Sequence, residues 1–126
     1  MKILPGEPSS FIMKNPMKII RVGLALVFLA NGLNAFLAPQ EFRELLETSF
    51  VSHWLPLSIP AFVIIIGIND LSLALLILLN KYQKYVQVWV MLWLVGVMIV
   101  IKNIFGILEH LGFFSMALAL RLSAKK

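Results

Sequence analysis

Hydrophobic and polar positions divide this chain into four long apolar runs separated by short polar breaks. A helix crosses the ~30 Å hydrocarbon core of a bilayer with about 20 apolar residues. The runs therefore predict four spans, over about residues 19–37, 57–79, 86–101 and 104–122. The breaks are as informative as the runs. Pro39 ends the first run, and residues 40–48 change to an amphipathic pattern. There Phe42, Leu45 and Leu46 recur at helical spacing, while Glu41, Arg43, Glu44 and Glu47 fall on the other side. Proline near its start and the early acids suit a helix N-terminus, and the segment reads as a short helix on the membrane surface. His53, Trp54 and Pro56 follow, with Trp as an interfacial anchor. Lys81, Tyr82, Lys84 and Tyr85 mark the next interface, and Lys102 and Asn103 the last. The fourth span could begin at Ile104, enclosing Glu109 and His110, or near Leu108, leaving both at the mouth.

Residues 1–18 are polar and broken by Pro5, Pro8 and Pro16, and they read as a cytosolic tail; residues 123–126 form a second one. A cut after Ala38 would set Phe36 where a small residue is needed and Pro39 just behind the cut, so the first span reads as an uncleaved anchor. The expected fold is an all-α integral membrane four-helix bundle whose short connections make sequential helices antiparallel neighbours.

Composition agrees. Hydrophobic residues make up 60% of the 126 positions and charged ones 13%, with a mean hydropathy of +0.93. A soluble domain is about 45–50% apolar and about 25% charged, and one this short cannot hide the excess in a core of its own. Soluble enzymes and disordered chains are excluded. The absence of Cys removes disulfides, thiolate nucleophiles, Fe–S clusters and Cys-ligated zinc together. Two His, His53 and His110, give no metal-ligand spacing, so no metal site is expected. The net charge of +5 lies at span ends rather than in a patch, which argues against nucleic acid. Nine of the 11 Lys and Arg (Lys2, Lys14, Lys18, Arg21, Lys81, Lys84, Arg121, Lys125 and Lys126) fall on one side of the predicted membrane, and Arg43 and Lys102 on the other. By the positive-inside rule both termini are cytosolic, in a cytoplasmic membrane of bacterial type.

Polar residues inside the spans carry the candidate chemistry. Asp70 falls near the middle of the second span, where an Asp costs roughly 3 kcal/mol on insertion scales. Gly67 and Ala74 share its helical face, so that face is expected to pack on a neighbouring helix. Asp70 is either a proton- or ligand-linked carboxylate or an acid that locks helix packing, and Asn69 bonds a different neighbour. Asn31 and Asn34 in the first span suit interhelical hydrogen bonds, with ligand contact as the alternative. Arg21 snorkels to lipid headgroups. Trp89 and Trp93, four apart, either pack or stack on a quinone ring. Gln83 and Gln87 share one face of the same span. Glu109 and His110 are adjacent, so they do not share a helical face, and they read as titratable mouth residues.

These marks together resemble the DoxX-like membrane proteins, a family related to the DoxD quinone-linked subunits. The resemblance runs from about Arg21 to Leu120. It lies in Arg21-Val22-Gly23-Leu24 followed by Phe28, and in Gly32-Leu33-Asn34-Ala35-Phe36 with Pro39 behind. Gly67-Ile68-Asn69-Asp70 and Glu109-His110-Leu111-Gly112 complete it. The family's charged pair in the first span is here Asn34 and Ala35, and Asp70 stands where a Glu is commoner. The resemblance implies an accessory subunit of a membrane complex, with a quinone as the associated cofactor and other subunits, or further copies of the chain, as partners. The residues themselves leave two other functions open: a proton-coupled small-solute transporter working through Asp70, and an assembly factor without a ligand. The chain holds no redox or nucleophilic group of its own, so any oxidoreductase role would be that of a subunit.

Overall fold

The structure, a computed structural model, describes residues 9–55, 58–101 and 103–124. Residues 1–8 of the tail, Pro56 and Leu57 at the expected start of the second span, Lys102, and the Lys125–Lys126 tail lie outside the described residues. Five α-helices follow one another: α1 (Ser9–Leu37), α2 (Pro39–Glu47), α3 (Ile59–Leu78), α4 (Gln83–Val100) and α5 (Ile104–Ser123). A single 3-10 turn, Phe50–His53, lies between α2 and α3. Among the described residues, four helices are long and apolar enough to cross a membrane: residues 16–37 of α1, and all of α3, α4 and α5. Their outer faces carry Ile64, Ile68, Leu75, Leu92, Ile99, Leu108 and Leu122, all exposed. A helix apolar on every side with so much of it uncovered has lipid as its solvent. The protein is an all-α, four-helix integral membrane protein.

Local chemistry sets the element ends. Helix α1 continues N-terminally past Ile19 and carries Pro16 inside it. Pro39 occupies the first turn of α2, where its missing N–H costs nothing. The Ser58 hydroxyl accepts from the Ala61 N–H at 3.3 Å and caps α3. Helix α3 closes on Asn80 at φ 58°, with the Asn80 N–H donating to Ile77 O at 3.1 Å and the Lys81 N–H to Leu76 O at 3.1 Å. That is the left-handed cap which Asn tolerates better than most residues. Asn103 Oδ1 accepts from the Phe105 N–H at 2.8 Å and starts α5 at Ile104. Glu109 and His110 therefore lie within helix α5.

The helices pack as two pairs. Helix α1 lies along α3, and α4 along α5; α1 with α5 and α3 with α4 join the pairs more sparsely. The α1–α3 contact is close and antiparallel. Gly32 meets Leu71, and Gly67 meets Phe36. At the end that bears the chain termini, all four spanning helices feed one core, including Leu24, Phe28, Ile77, Val90, Ala117 and Leu120. At the opposite end a smaller apolar cluster holds Ala35, Leu46, Val63 and Ile66, from α1, α2 and α3. The bundle is thus packed shut at one end. At the other, α2 takes up part of the space between the pairs.

Candidate functional site

Between the pairs, at the α2 end, the helices leave a cavity of about 630 Å³. Its walls are apolar, with Phe28, Phe62, Ile66 and Val97 among them. Four polar side chains reach it from the spanning helices: Asn31 of α1, Asp70 of α3, Trp93 of α4 and His110 of α5. Helix α2 is turned inward over this space. Leu46 is 4% exposed and Phe42 and Leu45 are half-buried, while Glu41, Glu44 and Glu47 face out. The amphipathic stripe read from the sequence thus faces the bundle rather than only lipid.

Asp70 is 3% exposed. Its Oδ1 accepts from Asn69 Nδ2 at 3.1 Å, and Asn69 Oδ1 accepts from Trp89 Nε1 at 2.8 Å. Trp93, which also lines the cavity, lies beside the same carboxyl group. Two adjacent residues of α3 and Trp89 of α4 therefore form one polar network across the sparse α3–α4 contact, with Trp93 one turn further along α4. Such a network is worth most where no water competes. The tryptophan rings stack on each other, centroids 6.1 Å apart and 30° between planes. That direct contact leaves no gap for a ligand ring between them, so only Trp93, from the cavity side, can offer a ring face.

The other expected site residues separate. Asn31 lines the cavity, but Asn34 donates to Glu41 Oε1 at 3.3 Å and ties α1 to α2. Glu109 is exposed. His110 is half-buried, with Nδ1 2.8 Å from Gly106 O and its ring edge-on to Phe113 at 5.4 Å. At the closed end, Gln83 Nε2 donates to Leu76 O and Lys81 O, both at 3.1 Å, and Gln87 Nε2 donates to Gln83 Oε1 at 2.6 Å. Arg21 Nε is buried and without a partner among the described residues. No group of three or more His, Asp or Glu that could hold a metal occurs among the described residues. The sequence did not single out Phe42, Leu45, Phe50, Trp54 or Gly96 as site residues, yet all five line the cavity. The apolar stripe of α2 was the visible signal for the first two. Gly96 carried none.

Residues 13–107 match the family model described as methylamine utilisation protein MauE. No curated protein and no solved structure matches the chain. The family match corrects the resemblance to DoxX-like proteins, since MauE is a different membrane family and nothing here supports DoxX. The quoted motifs are short and apolar-rich, and such strings recur in unrelated spans for reasons of solvation alone. The charged pair that would have been distinctive is absent, with Asn34 and Ala35 in its place.

Proposed function

This chain belongs to the MauE family of methylamine utilisation proteins, and from that premise we propose that it is an accessory membrane protein. It serves methylamine utilisation by holding a membrane-soluble molecule for partner proteins, and it does not carry out the chemistry itself. The observation that carries this reading is the one-sided cavity: about 630 Å³, apolar walls, and a buried carboxyl group among few polar contacts. Its size is in the range of small-molecule and cofactor sites. The mixture of lining groups suits a lipophile with one polar end. With both termini cytosolic, as the Lys and Arg distribution predicts, the cavity faces the extracytosolic half of the membrane. A quinone is the redox-active lipophile that this reading admits, with Trp93 supplying one ring face.

The test is purification in lipid nanodiscs followed by native mass analysis and an absorbance scan. A bound lipophile, or a co-purifying protein subunit, is the expected result. A chain that carries neither, from cells grown on methylamine, would refute the accessory reading.

Burial of Asp70 in a membrane span favours a second reading, a proton-coupled transporter. The packed core at the terminus-bearing end closes the cavity on that side, so transport would require that core to open. Asp70→Asn in proteoliposomes decides: unchanged proton-coupled flux removes the transporter reading.

A further inference from the structure

At the end that bears the chain termini, the core-facing stripes of two helices finish in arginine. Leu24, Ala25 and Phe28 of α1 are buried in the core there, and Met17 packs against it. Arg21 lies one turn after Met17 and one turn before Ala25, so helical spacing sets it on the same stripe. Its Nε is buried, with no hydrogen-bond partner among the described residues. Arg21 is thus placed on the inner stripe; Ile19 and Leu26, 70% and 57% exposed, hold the lipid-facing side of this stretch. Helix α5 repeats the pattern in the opposite direction. Ala117 and Leu120 are buried in the same core, and Arg121 follows one turn beyond Ala117, in the last turn of the helix. Helices α1 and α5 touch, so the two arginines prolong the core stripes of neighbouring helices to the same end of the bundle.

No carboxyl group among the described residues balances them. Lys18, Lys81 and Lys84 stand at this end too. The described carboxyl groups lie elsewhere: Glu41, Glu44 and Glu47 on α2, Asp70 about midway along α3, and Glu109 in the second turn of α5. Arg21 and Arg121 are both half-buried. Partly desolvated cations of one sign need an anion, and where a span meets the membrane surface the abundant anion is a lipid phosphate.

We propose that Arg21 and Arg121 form a site for the phosphate of an anionic phospholipid at the α1–α5 seam. The planar guanidinium fork suits two phosphate oxygens at once. Ile19 and Leu122, both strongly exposed and close in sequence to the arginines, give the acyl chains an apolar wall. A zwitterionic headgroup carries the same phosphate, but it brings an ammonium among cations that no described carboxylate offsets. A headgroup of net negative charge is therefore preferred. The site lies at the other end of the bundle from the cavity and does not depend on what the cavity holds.

The experiment takes the full chain into micelles containing equal amounts of phosphatidylglycerol and phosphatidylcholine with the same acyl chains. Native mass analysis counts the lipids retained. The unaltered chain is expected to retain phosphatidylglycerol about tenfold over phosphatidylcholine. Arg21→Gln is expected to lower that ratio about fivefold, the effect of one cation at a membrane surface. Lys81→Gln removes the same charge from the exposed α3–α4 turn and is expected to change the ratio by less than about twofold, since exposed charges are screened. Arg21→Lys keeps the charge and loses the fork, with an expected loss of about two- to threefold. Should Arg21→Gln fail to fold, Arg121→Gln carries the same expectation. Equal retention of the two lipids by the unaltered chain would overturn the proposal without recourse to any variant. Equal losses from Arg21→Gln and Lys81→Gln would replace the site by diffuse surface charge. Release of the bound phosphatidylglycerol by millimolar inorganic phosphate would overturn the lipid as the source of the phosphate.

Discussion

The α1–α3 contact forms the fixed wall of the site, and its glycines make a quantitative prediction. A Cβ added at Gly32 would lie 2.7 Å from Leu71 Cγ and Cδ2 and 3.0 Å from the Leu71 backbone N. Neither Cγ nor the backbone can move aside without moving helix α3. A Cβ at Gly67 would approach the Phe36 ring to 2.5 Å, but that ring is the far end of a side chain 44% exposed and can turn outward. A Cβ at Gly96 meets nothing within 4 Å. Separated helices in a membrane keep their backbone hydrogen bonds, so the usual helix-propensity gain of Gly→Ala is nearly equal in both states and cancels. What remains is contact. Overpacking costs about 1–3 kcal/mol, and a displaced rotamer about 0.5–1.5 kcal/mol. Gly32→Ala is therefore expected to lose about 1–3 kcal/mol, Gly67→Ala at most about 1.5 kcal/mol, and Gly96→Ala close to nothing. Reversible unfolding in mixed detergent–SDS micelles, followed by tryptophan fluorescence, measures all three. If Gly32→Ala is as stable as Gly96→Ala, the close α1–α3 packing described here is wrong.

Three further substitutions test the polar and apolar contacts around the site. Asn69→Leu breaks the link between Trp89 and Asp70 and is expected to cost about 1 kcal/mol, within the range of hydrogen bonds inside membrane proteins; Ser72→Leu, on an exposed position of the same helix, serves as the neutral control in the same titration. Gln87 is fully buried with Oε1 unpartnered among the described residues, so Gln87→Leu is expected to change stability by less than about 1 kcal/mol, since removing an orphan offsets the lost bond to Gln83. Gln83→Leu, which unties Leu76 O and Lys81 O, is expected to cost more. Leu46→Ala empties the main anchor of α2 and is expected to raise hydrogen exchange across residues 39–54 by about thirtyfold or more, the signature of about 2 kcal/mol or more of lost local packing; unchanged protection there would mean that α2 is not held by the bundle.

The spans were legible because solvation by lipid imposes a length and a composition that few other structures share. Asp70 was legible for the converse reason: a carboxyl group is rare where it stands. Its partners were harder to read. Asn69 and Asp70 are neighbours in sequence and were expected to bond different helices, yet α4 meets both because Trp89 and Trp93 are long enough to reach across a sparse contact. Asn31 and Asn34 share a helical face in the sequence, but the inward turn of α2 takes Asn34 out of the site through Glu41. The cavity itself was invisible. A void is a property of how four surfaces fail to meet, and no periodicity along one chain encodes it. Gly96 illustrates this. In sequence it is a small residue on an apolar helix, and only the positions of the other helices make it a wall of the site.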